Sequence, residues 1–472
     1  MIGIRAQSRS TAFAAILALS PSFAGIAWGA EAQPTATESQ AALPMTLNDG
    51  AGTRDALGFD WPMLSIGTGQ YEDGPTGLTV IRFKERVHAA IDTRGGGPGT
   101  VNSDYLRLGY EFPELDAIVL AGGSWYGLEA VTAVNTALKD DGARGGHWDN
   151  VGLVEGSIIY DFGGRRLNEI YPDKRLAQAA MRAARPGWFP VGAYGAGRSA
   201  VTGGIFGCNA RSGQGAAFRQ IGEVKIAVFT VVNALGVVVD RDGKVVSCHK
   251  GSRWPDDLTA SYLMRNAPAS LQPGWNGDEG AAPDRKNTTI SLVVTNRKMS
   301  KAELNRLAVQ VHTSMARAIQ PFATEMDGDV LYAVSTAEVE NGPGNFLPSA
   351  EIGVAASELM WDAVLAAVQP APQSPAVKRT KPLTAGAAAA LAGDYRFSGL
   401  ASLKVWFEDG ALRAKATGER DVFAIRRDAA QELLPVSSDT YMVPGRYPLV
   451  LQFRSGELVL NPGRWQQVGR RN

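Results

Sequence analysis

Apolar positions along the middle of the chain repeat with two different periods. Leu78–Phe83, Ala117–Leu120, Lys225–Val239, Ile290–Thr295 and Val330–Thr336 are β-branched or apolar runs and read as strands. Tyr126–Leu138, Asp173–Arg185 and Ala350–Val368 read as helices. Ser300-Lys301-Ala302-Glu303 is a capping box, in which hydroxyl and carboxylate each satisfy the other residue's backbone N–H. After it Leu304, Leu307, Ala308, Val311, Met315 and Ile319 recur at helical spacing. Strands and helices mix without strict βαβ repeats, which predicts layered α/β packing with helices covering sheets.

Both ends of the chain break this pattern. Arg5 and Arg9, the short apolar stretch Thr11–Ser20 and the A-x-A site Ala30-Glu31-Ala32 predict a secretory signal over residues 1–32. That stretch is too short for a membrane span, and no later one approaches 18 apolar residues. The expectation is an exported protein, periplasmic or secreted, with no membrane partner. Residues 33–55 are polar and predict a loose leader ahead of the main domain, 56–368. Gln369–Lys381, rich in Pro, Ser and Lys, opens a linker drawn to residue 392. Residues 393–472 alternate in short runs, with an Asp409-Gly410 hairpin step, and predict a small antiparallel β domain. On pattern it resembles the lipocalin-like module appended to some secreted serine hydrolases.

Composition narrows the chemistry. The 472 residues carry 47 Lys+Arg against 47 Asp+Glu and no Lys/Arg-rich run, so nothing points to a nucleic-acid partner, which usually needs a basic face. Four histidines and two cysteines, with no C-x-x-C and no H-E-x-x-H, predict no metal site, and no cofactor fingerprint occurs. Spacing alone does not decide whether Cys208 and Cys248 pair. Cys248 and His249 are neighbours on a strand-like run and face opposite sides, which argues against a thiol–base pair. Ser124 lies in G-S-W-Y-G rather than in a nucleophile elbow. His88, His147 and His312 read as structural or surface residues. The turns Arg94–Gly99, Gly122–Gly127 and Gly192–Gly197 offer backbone N–H groups to an oxyanion.

The most informative stretch is Lys286–Val294, where a polar loop, Gln272–Lys286, enters a β-branched strand abruptly. If the chain breaks between Asn287 and Thr288, Thr288 carries both a hydroxyl and a free α-amine of pKa ~7.7–8.0. The amine is then the base that activates the hydroxyl, and no histidine is needed. Asp327 and Asp329, one glycine apart at the mouth of the next strand, are candidates to orient that amine. Taken alone, these residues read more simply as a plain loop-to-strand junction and a solvated Asp-Gly turn.

Several ordered stretches together resemble a known family. They are Tyr71–Gly77, Ala121-Gly122-Gly123 with Tyr126–Ala130, Gly213–Arg219, Asn287–Ser291, Met326–Asp329 and Ser357–Val364. They look like the P1 peptidases, which include D-aminopeptidases, β-peptidyl aminopeptidases and nylon-oligomer hydrolases, with the last as the nearest branch. The resemblance spans Phe59–Ala367. It implies a four-layer αββα sandwich of the N-terminal-nucleophile type, self-cleavage between Asn287 and Thr288, and an acyl-enzyme on Thr288. It further implies an oxyanion role for Asn233, a place near the site for Tyr126, and a pairing of the two cleaved fragments that assembles into larger oligomers. The expected substrates are small oligoamides or short peptides. The alternatives are an aminopeptidase acting on D- or β-amino-acid peptides and a non-catalytic binding relative on the same scaffold. One departure stands out: Gly204 occupies the position where the family carries a lysine, leaving Arg198 or Lys225 as candidate replacements. Ala193 stands where aminopeptidase relatives have asparagine.

Overall fold

A computed structural model of the chain describes residues 40–108, 110–111, 113–250, 254–266, 287–340, 348–369 and 384–472. The expected signal, leader residues 33–39, the loop 272–286 and linker residues 370–383 lie outside them.

The body opens with an antiparallel pair, β1 (Leu64–Tyr71) and β2 (Thr76–Thr93). β3 (Glu114–Ala121) lies antiparallel on β2, and after helix α1 (Leu128–Asp140) the strand β4 (Val154–Ile158) runs parallel to β3. Helix α2 (Lys174–Arg182), capped by Asp173, leads towards the hairpin of β5 (Gln214–Ile221) and β6 (Val224–Asn233). β7 (Thr288–Arg297) pairs antiparallel with β6. Helix α3 (Lys301–Ser314), which carries the expected capping box, then connects β7 to a parallel β8 (Val330–Val339). Helix α4 (Ser349–Ala367) follows. The bonded order is β5-β6-β7-β8-β2-β3-β4, with β1 also on β2.

Side-chain alternation turns this one network into two facing sheets. Phe229, Ile290, Leu292, Val330 and Tyr332 share an apolar layer with Ile66, Ile81, Ile118 and Leu120 from the strands at the other end of the order. The Ser157 and Tyr332 hydroxyls meet across that layer at 2.7 Å. The opposite face of β6–β8 (Val228, Val293, Leu331) packs on Leu307, Val311, Leu359 and Met360 of α3 and α4. Val80 and Val119 pack on Val131, Val134 and Leu176 of α1 and α2. Three apolar layers between two sheets and two helix pairs make the expected four-layer αββα sandwich. Burial of each large apolar side chain contributes about 1.5–3 kcal/mol. β2 serves both sheets: its first half pairs with β1 and Val330–Ser335 of β8 pair with its His88–Thr93. Its register against β3 slips between Arg82 and Val87.

Two sequence expectations change. The described part of the leader is tied down: Thr46 and Leu47 pair with Gln70 and Gly69, and the Asn48 amide bonds Thr68 N and Ala183 O. Within the expected linker, Ala385–Leu391 is a helix, because its alanines favour one and Thr384 caps it. Beyond it, eight strands from Gly393–Arg396 to Gln467–Arg471 close into an antiparallel barrel, the expected small β domain. Asp409 and Gly410 both take positive φ at one of its hairpins. Cys208 and Cys248 form a disulfide. His312 is buried, with its Nδ1 2.8 Å from Asp92. Among the described residues no helix is long and apolar enough to cross a membrane.

Candidate active site

Thr288 is the first residue of β7, a strand flanked on both sides by β6 and β8. Its partner across β6 is Asn233, and Asn287 bridges in parallel to Asp327 just ahead of β8. Thr288, Asn287, Asn233, Asp327 and Asp329 are all buried. The Thr288 hydroxyl donates to the carbonyl oxygen of Asn287 at 2.5 Å. The Gly328 N–H donates to the same oxygen at 3.0 Å. The peptide carbonyl preceding Thr288 is thus polarised by a fixed backbone donor, with the hydroxyl against it. A Cβ on residue 328 would fall 2.8 Å from the Thr288 Oγ and 2.7 Å from the Gly97 carbonyl, so this approach requires glycine.

The two carboxylates shape the strand mouth. Asp329 accepts from the backbone N–H of Thr289 at 2.6 Å and of Ala323 at 3.0 Å. Asp327 accepts from Leu235 N at 3.3 Å and from the Thr324 N–H and hydroxyl. Burial, and then the neighbouring Asp327 charge, push Asp329 well above the usual carboxylate range. Burial also raises Asp327. In the continuous chain both therefore hold backbone around Thr288 rather than its own nitrogen. The Arg94–Gly99 turn braces them: Gly97 N–H donates to the Asp327 carbonyl at 2.8 Å, and the Arg94 and Gly95 N–H groups to that of Asp329. A Cβ at Gly95 would lie 2.2 Å from Asp329 N. The glycine turns were expected to offer N–H groups to an oxyanion. These three N–H groups are spent on the Asp327 and Asp329 carbonyls, Gly123 N on Asp161 and Gly195 N on Gln70.

Positive charge comes from a residue that sequence reasoning missed. Arg165, in a single 3-10 turn (Gly163–Arg165) after β4, donates to the side-chain oxygens of Asn233 and Asn287, each at 2.5 Å. Neither proposed replacement for the lysine absent at Gly204 stands here. Arg198 is paired with Glu72 at 2.5 Å, and Lys225, at the far end of β6, bonds the Asp60 carbonyl. Asn233 also accepts from Val201 N at 3.1 Å and gives its amide N–H to the Tyr160 carbonyl at 3.0 Å. In the continuous chain one of its two amide N–H donors is therefore engaged, and Gly328 supplies the N–H on the carbonyl before Thr288. Tyr126 is exposed on the turn before α1, its ring 6.1 Å from that of Phe162, which in turn lies 6.3 Å from Tyr160. These ring contacts reach Tyr160, whose carbonyl accepts from Asn233 and from Arg165. Ser124 sits on that same turn, and Cys248 is held in the disulfide.

A four-layer sandwich with a buried hydroxyl on a polarised peptide carbonyl is the framework of an amide- and peptide-bond hydrolase. The chain belongs to peptidase family S58, which it matches over residues 60–381. A 6-aminohexanoate-oligomer endohydrolase of Paenarthrobacter ureafaciens is 42% identical over 322 residues, covering 66% of this chain and 86% of that relative. One from Kocuria sp. is 41% identical over 67% of this chain and 87% of its own length. An uncharacterised aminopeptidase of Mycobacterium bovis is 32% identical over 65% and 88%. Among solved structures, a Burkholderia sp. beta-aminopeptidase aligns over 66% of this chain and 87% of its own, with 17% identity and a TM-score of 0.46. The family match ends at residue 381, and the barrel lies beyond it.

Proposed function

We propose that the chain cuts itself between Asn287 and Thr288 and then hydrolyses amides with Thr288 as an N-terminal nucleophile. The observation that carries this reading is the Thr288 hydroxyl lying against the Asn287 carbonyl while Gly328 N–H holds the same oxygen. The Oγ–carbon bond forms, the carbon–nitrogen bond breaks, and the hydroxyl proton passes to the departing nitrogen, leaving an ester. Water then releases the Asn287 carboxyl and restores the hydroxyl. In the cut enzyme the Thr288 amine takes the hydroxyl proton as Oγ attacks a substrate amide, and returns it to the leaving amine. Asp327 and Asp329 hold the strand mouth, and the two fragments stay together because β6, β7 and β8 are bonded side by side.

The oligoamide hydrolases at 41–42% identity favour linear aliphatic amides as substrates, and the exposed rings of Tyr126 and Trp125 suit apolar spacers between amides. The more distant aminopeptidases favour short peptides with D- or β-residues as the second reading. Export through the 1–32 segment fits a disulfide-bonded protein. On a denaturing gel the purified chain should run as two fragments, the smaller starting at Thr288, and Thr288→Ala should run as one band. Release of 6-aminohexanoate units against release of single β- or D-residues separates the two substrate readings. An uncut wild-type chain would overturn the proposal.

A further inference from the structure

The turn that carries Arg165 is held from two sides. On the sandwich side, buried Arg166 pairs with Asp161 at 3.0 Å and covers the Phe162 ring at 4.3 Å, and Asp161 bonds Thr76. On the other side lies the barrel. Arg420 donates to the Gly163 carbonyl at 2.8 Å, and buried Gln467 accepts from Leu167 N at 3.1 Å. The Leu167 side chain itself sits among the apolar residues of the barrel. These contacts fall two positions before and two positions after Arg165, and between them the guanidinium reaches Asn233 and Asn287.

We propose that the C-terminal barrel is a positioning element of the active site: it grips the Gly163–Leu167 segment and so sets Arg165 against the two asparagines. This rests on the reading of Asn287–Thr288 as the bond that is cut. It gives the barrel a role in the reaction although it lies outside the family match. It also accounts for how the chain does without a lysine at Gly204. A three-residue turn with a glycine at positive φ has little rigidity of its own, and a long guanidinium side chain in it is aimed only if its backbone is fixed. Arg165 is the residue that touches the reacting segment, and Arg420 and Gln467 act through it.

The test uses the full-length chain and follows the rate at which the precursor band disappears. Arg165→Ala should slow cutting about a hundredfold, and Arg420→Ala and Gln467→Ala about tenfold each. Arg420→Lys, which keeps a donor for the Gly163 carbonyl, should recover most of the rate. Arg165→Ala combined with Arg420→Ala should be no slower than Arg165→Ala alone, because the brace has nothing left to aim. Arg464→Ala removes a different barrel contact, to Asp49 and Tyr194, and should leave the rate unchanged. Thermal unfolding of each variant reports whether the barrel remains folded. Wild-type rates in both Arg420→Ala and Gln467→Ala would overturn the proposal, as would full additivity with Arg165→Ala or an equal loss in Arg464→Ala. A wild-type chain that never cuts would instead overturn the reading on which it rests.

Discussion

Glycine at position 328 is what lets a hydroxyl, a carbonyl and a backbone donor meet within hydrogen-bond distance. Its missing side chain leaves room for the Thr288 Oγ on one side and the Gly97 carbonyl on the other. Gly328→Ala should therefore displace either the hydroxyl or the donor and slow self-cleavage by ten- to a hundredfold, about 1.4–2.7 kcal/mol of barrier. A time course of the precursor band checks this, and cutting at the wild-type rate would show that the donor is not needed. Residue by residue, the site was only partly legible. Thr288, Asn287, Asp327 and Asp329 stand out because they are polar residues where apolar runs begin, whereas Asn233, inside the run Lys225–Val239, is singled out only by the family resemblance. Arg165 does not, since it lies 122 positions from Asn287 and follows a Gly-Gly step that looks like any exposed turn. Only the packing of the segment after β4 over the ends of β6 and β7 brings it in.

Among the elements, apolar runs and periods are legible where a strand or helix keeps one set of neighbours, as in the fully buried β7 and the buried Val330–Thr336 of β8, and fail where a strand changes partners. β2 was visible only as Leu78–Phe83, because Lys84, Glu85 and Arg86 interrupt its apolar run. Those charges sit where the strand crosses from one sheet to the other and its register against β3 slips, so they mark a bend rather than an end. The capped helix α3 is the opposite case, fully legible from Ser300 and Glu303. The Ser300 hydroxyl takes the Glu303 N–H at 3.3 Å, and the Glu303 carboxylate takes the Ser300 N–H at 2.8 Å. Ser300→Ala should cost about 1 kcal/mol of stability, seen as a lowered urea midpoint. It should leave the cutting rate alone, since the cap lies at the end of the β7–β8 crossover opposite to Thr288. A change in rate without a change in midpoint would contradict that separation.

At the scale of the whole molecule, one buried group is at odds with the layer that encloses it. Glu155 lies on β4, where Val154 and Ile158 face the helices and Ser157 faces the other sheet. Alternation therefore turns Glu155 into the apolar layer between the sheets, where it is 1% exposed and neither carboxylate oxygen finds a partner. Burial pushes its pKa up to about 8. The sign follows from linkage. A carboxyl raised above its unfolded value of ~4.3 favours the fold fully below that pH. As pH climbs from about 4.5 through 8, the unfolded chain releases this proton before the folded one does, and stability falls. The ceiling on that loss is on the order of 5 kcal/mol, since each pKa unit corresponds to about 1.4 kcal/mol. Glu155→Gln removes the ionisation while keeping the shape. Relative to the wild type, its urea midpoint should be similar at pH 4.5 and climb steadily above it towards pH 8. Two curves that stay parallel across that range would mean that Glu155 ionises in place without cost, and hence that the layer between the sheets admits water.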